Sequence, residues 1–393
     1  MRREDFSSMS PGDLVEVQDS QGRDGLAFKP HFLPPNLELD IDIWAKAEAA
    51  AFAIGNLNGM GSQLPNPAML ARPFARKEAL ASSRIEGTRA EYGQLALFEI
   101  DEDPHPDSDV REVRNYVRAL ELAWSSSLPA VSLSGIASLH ELLMRGVRGE
   151  TMNPGQFRTS QVWIGSTGES LQSARFVPAP PQSIRDSLLN LVEYTSMPDR
   201  IPKLVQLAVS HYQFETIHPF NDGNGRIGRL LIPLILKQWG QLDYPLLYLS
   251  EYFERHRDAY IDGLYRVSSR GDWAGWFDFF LTAVEQQAIE AKSRAESVLS
   301  LREQLRSHYQ LNGRPRILPV IDALFESGTM TFTIAKEITG LGQQAANSMV
   351  KQLVDDGLLV EVTGRQRNQK FFAPTIAQAS MSVIDQERAG ERR

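Results

Sequence analysis

Twelve consecutive residues concentrate the groups that could do chemistry: His218-Pro219-Phe220-Asn221-Asp222-Gly223-Asn224-Gly225-Arg226-Ile227-Gly228-Arg229. Gly223 and Gly225 permit positive φ and close approach of backbone to a ligand. The loop runs directly into a predicted helix, whose first free N–H groups and dipole favour an anion. Arg226 and Arg229 lie one turn apart on that helix, so both guanidinium groups can reach one polyphosphate. Asp222 supplies a hard oxygen just before the glycines, suited to a Mg²⁺ that bridges phosphates. His218 precedes the loop and is expected to titrate near neutral pH, as a general base should. Together these residues read as a nucleotide phosphate site with a base attached.

Other readings of the same residues fit less well. Gly223-Asn224-Gly225-Arg226-Ile227-Gly228 also has the form G-x-G-x-x-G, but the dinucleotide-binding version needs a buried strand before it. Here a helix precedes it, with the stripe Leu204, Leu207, Ala208, His211 and Tyr212. His211 and His218 lie two turns apart and could suggest a transition-metal site. Without a dedicated ligand spacing they fit a core residue and a base better. A plain Gly-rich turn with surface arginines would not call for so many special residues in so short a run.

The segment resembles the Fic family motif, H-P-F-x-[D/E]-G-N-G-R-x-x-R, at every defined position. The flanks His211-Tyr212-Gln213-Phe214-Glu215 and Leu230-Leu231 are similar as well. The resemblance covers roughly Phe74 to Gln286. It implies protein adenylylation: AMP passes from ATP to a Ser, Thr or Tyr hydroxyl of a target protein and of the chain itself, and pyrophosphate leaves. By resemblance His218 is the catalytic base, Asp222 holds Mg²⁺ on the α- and β-phosphates, and Phe220 is a buried anchor. Gly223, Asn224, Gly225 and Arg226 form the anion hole, with Gly228 counted among the nucleotide-binding residues, and Arg229 binds the γ-phosphate. Tyr260 stands where relatives often line the nucleotide pocket.

A second motif lies upstream. Ser82-Ser83-Arg84-Ile85-Glu86-Gly87 matches the pattern [S/T]-x-x-x-E-[G/N] found in many Fic proteins. Ser82 and Glu86 are i and i+4 and share a helix face. The resemblance implies that Glu86 pairs with Arg229 and bends ATP into an unproductive pose. His140 reads as a packed or capping histidine rather than a catalytic one.

The elements that must position these groups are mostly helical. The expected fold is mainly α: a Fic-type helical core with a β-hairpin flap, plus a small C-terminal winged-helix (α+β) domain. Residues 1–36, rich in Pro, Gly and charge, read as an arm wrapping a later domain. Residues 37–108 form a helical segment that carries the inhibitory helix and ends in the linker 101–108, after which Asp109 caps a helix. The catalytic core spans 109–290, a linker helix 291–313, the winged helix 314–375 and a polar tail 376–393.

Within the core, the segments from Gln161 to Ile164 and from Arg175 to Val177 alternate like a surface hairpin around a Gly/Ser turn. They resemble the family's flap, whose strand edge could hold a target segment by main-chain hydrogen bonds. Trp163 is a candidate contact there or an inward-packing residue. In the C-terminal module Gln343, Gln344, Asn347 and Lys351 on its third helix, with Arg365, Arg367 and Lys370 on the wing, could contact DNA. Asp355, Asp356 and Glu361 nearby leave protein docking as the other use of this surface.

Composition bounds the rest. The chain has 393 residues, 42% hydrophobic and 23% charged, with a formal net charge of -8. That balance argues against a chain built mainly to coat nucleic acid. There is no cysteine, so disulfides and thiolate metal sites are ruled out. No signal peptide or membrane-length apolar run is visible, and a cytoplasmic location, with homodimerisation open, is the expectation. Two rival functions remain at this stage: a winged-helix transcriptional regulator whose core senses nucleotide, and removal of AMP instead of its transfer.

Overall fold

The computed structural model describes residues 1–62, 64, 66–100, 108–126, 129, 131–165, 170–197 and 201–379. The expected linker, apart from Ser108, the Gly/Ser turn at 166–169 and most of the polar tail lie outside the described residues.

The first 36 residues are more than an arm. Strands β1 (Gly12–Gln18) and β2 (Asp24–Pro30) pair antiparallel, with Gly12 opposite Pro30 and Gln18 opposite Asp24. Asp19 shapes the turn between them. Its carboxylate accepts from the backbone N–H groups of Gln21 and Arg23, each at 2.9 Å, and pairs with the Arg23 side chain.

Among the described residues eleven α-helices follow: α1 (Ile41–Gly61), α2 (Ala68–Ile85), α3 (Tyr92–Ile100), α4 (Ser108–Ser125), α5 (Leu133–Leu143), α6 (Ile184–Ser196), α7 (Lys203–Ile217), α8 (Asn224–Gln238), α9 (Ser250–Arg255), α10 (Arg257–Arg270) and α11 (Trp273–Leu311). Asp40 and Ser132 cap α1 and α5 through side-chain oxygens that accept from the third residue on. α4 begins one residue before the expected Asp109, whose carboxylate instead accepts from the backbone of Arg89 at 2.8 Å.

α7 and α8 are buried around most of their circumference and form the centre of the core. Pro233, inside α8, and the apolar residues Ile227, Leu230, Leu231 and Leu234 leave this helix no solvent face. α11 lies across α1 and α7, and its Trp276 is fully buried and donates its indole N–H to the carbonyl of Ala208 at 3.0 Å.

The C-terminal part runs α12 (Leu318–Ser327), β3 (Thr329–Met330), α13 (Phe332–Thr339), α14 (Gln343–Asp355), β4 (Val360–Glu361), β5 (Phe371–Phe372) and α15 (Pro374–Ala379). The three short strands pair antiparallel in the order β3-β5-β4. β3 went unread in the sequence because two residues carry no periodicity. This part leans on α2, where buried Arg76 donates to the carbonyls of Glu326 (3.2 Å) and Ser327 (3.0 Å).

Candidate active site

α7 ends at Ile217, and His218 takes a left-handed conformation, φ 50° and ψ 63°. That geometry is costly for a residue with a Cβ, and its surroundings hold it. Arg158 is 97% buried, and its Nε donates to the His218 carbonyl at 2.8 Å. Its remaining nitrogens bond the carbonyls of Ser160, Ala179 and Ile217. Burial pulls the Arg158 pKa down to about 10, which still leaves it charged at neutral pH.

The His218 ring is thereby set with Nδ1–H donating to the carbonyl of Glu215 at 3.2 Å. In the neutral imidazole this leaves the Nε2 lone pair free to accept a proton. The expectation of a near-neutral titration does not hold. Burial, then the charge of Arg158, lowers the His218 pKa to about 4, so the ring is a free base across the physiological range.

The loop after it is closed by its own side chains. Asn224 accepts from the backbone N–H of Phe220 (2.8 Å) and donates to the Phe220 carbonyl (2.9 Å). The Phe220 ring is fully buried and stacks on His140, with centroids 3.7 Å apart and planes 1° from parallel. Gly155 N–H donates to His140 Nδ1 at 2.9 Å, so Nε2 carries the hydrogen and donates to the carbonyl of Asp222 at 3.0 Å. Burial lowers the pKa of His140 to about 4, and it acts as a neutral brace, a packed histidine as read from the sequence.

Gly223 adopts φ 78° and turns the chain into α8. A Cβ on Gly225 would strike the Glu86 carboxylate and come within 2.8 Å of an Arg229 nitrogen. Only glycine fits there, because the Glu86 carboxylate and the Arg229 guanidinium pack directly against the start of α8. The Asp222 carboxylate, 38% exposed, accepts from the N–H of Gly223 at 2.6 Å.

Arg229 is 2% exposed. Its Nε donates to Ser82 Oγ (2.9 Å), and its Nη2 donates to the Ser82 carbonyl (3.0 Å) and to the Glu86 carboxylate (2.7 Å). Burial works against both charges, but each partner stabilises the other: the Glu86 pKa is lowered and that of Arg229 raised. The Glu86 side chain stays 39% exposed, on the cleft side of the pair.

One wall of the cleft is Ile85 and Glu86, the floor is Asp222 to Gly225 with His218 and Arg229, and the far wall is Tyr260, Ile261, Leu264 and Tyr265 of α10. Ile164, Arg175 and Phe176 form the lip. Among the described residues the expected hairpin there is a single antiparallel bridge, Ile164 N–H to Phe176 carbonyl at 2.8 Å with its reciprocal at 3.3 Å. Three of the site residues named from the sequence lie outside the lining. Ser82 is buried behind Arg229. Arg226 is buried with its Nη1 2.9 Å from Glu112 on α4 and its Nη2 3.3 Å from Asp222. Gly228 is a packing position, where a Cβ would meet the Glu215 carboxylate and the Phe214 ring.

Tyr260 lines the cleft and its hydroxyl donates to His211 Nε2 at 2.8 Å, while His211 Nδ1–H faces the Gly228 carbonyl at 3.3 Å. Burial lowers the His211 pKa to about 3, consistent with a core histidine. Three contributors escaped the sequence reading. Arg158 and Glu112 lie far away along the chain, and Glu112 also accepts from Thr88 at 2.7 Å beside the second motif. Glu215 had a local signal, being one turn before His218 on α7. Its carboxyl is pushed up to about 7 by burial, and its Oε1 has no hydrogen-bond partner.

Comparison with known proteins agrees with this geometry. Residues 44–125 match the Fic/DOC family N-terminal domain, and residues 130–236 match the Fic/DOC family domain. Both matches place Fic/DOC domains in this chain. A Fic family protein from Desulfovibrio desulfuricans has a similar fold: TM-score 0.57 at 21% identity, covering 87% of this chain and 98% of that one. Among curated relatives, the protein adenylyltransferase fic-1 of Caenorhabditis elegans is 27% identical over 40% of this chain and 30% of its own length. A probable protein adenylyltransferase of Aquifex aeolicus is 27% identical over 47% of this chain and 55% of its own. The chain thus spans 30% of the length of the first of these relatives and 55% of the second. No described helix is long and apolar enough to cross a membrane.

Proposed function

We propose that this Fic/DOC protein binds ATP in the cleft and transfers AMP to a Ser, Thr or Tyr hydroxyl of a protein. The observation that carries the reading is the free Nε2 of His218 beside the glycine nest at the N-terminus of α8. The relatives' names, which state protein adenylyltransferase activity for them, point the same way.

The target hydroxyl oxygen attacks the α-phosphorus, and its proton passes to His218 Nε2. The bond from the α-phosphorus to the oxygen bridging to the β-phosphate breaks, and pyrophosphate leaves with that oxygen. His218 is neutral at the start, so it takes the proton without first losing one. Positioned general bases of this kind contribute roughly 10²–10⁴-fold. The N–H groups at the start of α8 face charge that builds on phosphate oxygens, and such preorganised donors dominate phosphoryl and nucleotidyl chemistry.

No cluster of three or more candidate ligand side chains is found among the described residues. The Asp222 carboxylate is a hard oxygen donor and would hold a Mg²⁺ that arrives with ATP. Bound there, the ion would neutralise phosphate charge.

In this arrangement Arg229 is committed to Ser82 and Glu86, so the reading includes restraint of the enzyme by Glu86. The deciding experiment incubates the protein with a lysate and ATP labelled at the α- or the γ-phosphate. Covalent α-label, absent with His218→Ala, is expected; covalent γ-label, or none even after Glu86→Gly, overturns the proposal.

A further inference from the structure

The lip of the cleft has a foundation of its own. Ala27 of β2 and Leu171, Ala174 and Val177 of the flap are all buried in a small apolar cluster separate from the main core. Val15, Val17 and Trp163 pack on it, which answers the question of where Trp163 points. The backbone joins as well: Phe28 N–H donates to the Val177 carbonyl at 2.9 Å. Gly25 lets Leu171 press against β2, since a Cβ there would lie 2.6 Å from Leu171 Cγ.

The same segment grips the opposite wall. Ser7 N–H donates to the Ser269 carbonyl and Ser10 Oγ to the Ser268 carbonyl, both at 2.7 Å and both near the end of α10. Phe6 sits between the walls, 5.7 Å from Phe28 and 6.3 Å from Tyr265, and Phe28 lies 5.8 Å from Phe176. Phe176 and Tyr265 line the cleft. Arg175 adds a tie from the flap to α10, pairing with Asp262 and lying over the Tyr265 ring.

Among the described residues the flap's two segments are joined to each other by a single bridge, Ile164 to Phe176, so the flap has few hydrogen bonds of its own. Segments of that kind open locally at low free energy unless another surface covers them. We propose that the β1–β2 pair is the scaffold that fixes the flap over the cleft, with Gly25 and Ala27 as positioning residues for the protein substrate. This rests on the reading of the cleft as a transferase site. A flap fixed in advance spares a docking target segment the entropy of ordering it. The pair therefore acts on the use of protein substrate and leaves ATP binding at the nest unaffected.

The test uses the full chain carrying Glu86→Gly, with Gly25→Val, Ala27→Asp and, as the conservative variant, Ala27→Gly. Hydrogen exchange at the Ile164 and Phe176 amides should speed up by at least about tenfold in the first two and stay near the parent rate in the third. Exchange in α7 and α8 and the affinity for ATP should not change. Incorporation of α-label into lysate proteins should fall at low lysate concentration and recover as the lysate is concentrated. Flap exchange that stays at the parent rate in both disruptive variants overturns the proposal, as does a rise spread equally over α7 and α8. If the parent transfers no label at all, it is the transferase reading that fails, and flap exchange still decides whether the pair is a scaffold.

Discussion

Arg229 and Glu86, 143 residues apart in sequence, meet at 2.7 Å, and the arginine is 2% exposed while the acid is 39% exposed on its side chain. The base of the pair is fixed in the core, held also by Ser82, and the acid is the partner that solvent or a ligand can reach. A charge-assisted Arg–carboxylate pair has directional geometry, so Arg229 cannot serve Glu86 and a phosphate in the same pose.

Replacing Glu86 by glycine therefore frees Arg229 and clears the cleft side of α8. If the pair biases the nucleotide by about 1.4–2.8 kcal/mol, α-label incorporation rises about 10–100-fold. Arg229→Ala is expected to give no such gain, because it removes the proposed phosphate ligand together with the contact to Glu86. A time course of label incorporation for the parent and both variants checks this, and equal rates for the parent and Glu86→Gly would refute the restraint.

The lowered pKa of His218 makes a second prediction. A depressed histidine pKa keeps the lone pair available above about pH 4 and loses it as pH falls through that value. Glu86 raises this pKa, so its removal cannot bring the limb closer to neutrality. Single-turnover transfer by Glu86→Gly should change by less than about twofold between pH 5 and 7. A histidine titrating at the ordinary 6.5 would be only about 3% neutral at pH 5. A fall of that size would show that burial does not set the base.

His140→Ala should damage the loop without touching the reacting groups. It removes the acceptor for Gly155 N–H and the donor to the Asp222 carbonyl, and it takes away the ring under Phe220. Leaving buried polar groups unpaired costs about 1–3 kcal/mol. Urea denaturation should register that loss, together with weaker Mg²⁺-ATP binding by calorimetry. Unaltered stability would mean the brace is dispensable.

Gly228→Ala separates packing from ligand binding. The added methyl meets the Glu215 carboxylate and comes within 3.1 Å of the Phe214 ring. Overpacking of this kind costs about 1–3 kcal/mol. Denaturant midpoints should fall while ATP affinity holds; a selective loss of ATP affinity would return Gly228 to the nucleotide site.

The parts of the site legible in the sequence are those that the chain itself keeps adjacent. The nest, Asp222 and His218 need only a helix end, a left-handed turn and a helix start, and the spacing of residues 218–229 specifies all three. Glu86 could be tied to Arg229 only through the resemblance, since no periodicity links positions 143 residues apart. Glu112 and Arg158 gave no such hint: each looks like an ordinary charge on its own segment, and only tertiary packing shows what it neutralises or clamps. The β1–β2 pair was hidden for a related reason. Its Gly, Pro and charged residues read as loop, and its apolar face is completed by Leu171 and Val177 from the flap rather than by its own sequence.

α2 and α11 together give the molecule an unexpected connectivity. α11 leaves the core as one 39-residue helix, and Arg302 and Arg306 near its far end both pair with Asp322 on α12. The carbonyls of Glu326 and Ser327, where α12 ends, accept from Arg76 on α2, and α2 itself ends at Ile85, next to Glu86. The rods close on themselves like the links of a braced frame, starting and finishing at the core. Cutting the frame after α11 would strip Arg76 of those two acceptors and uncover the flank of the helix that leads into Glu86. The C-terminal part thus acts as a strut for α2.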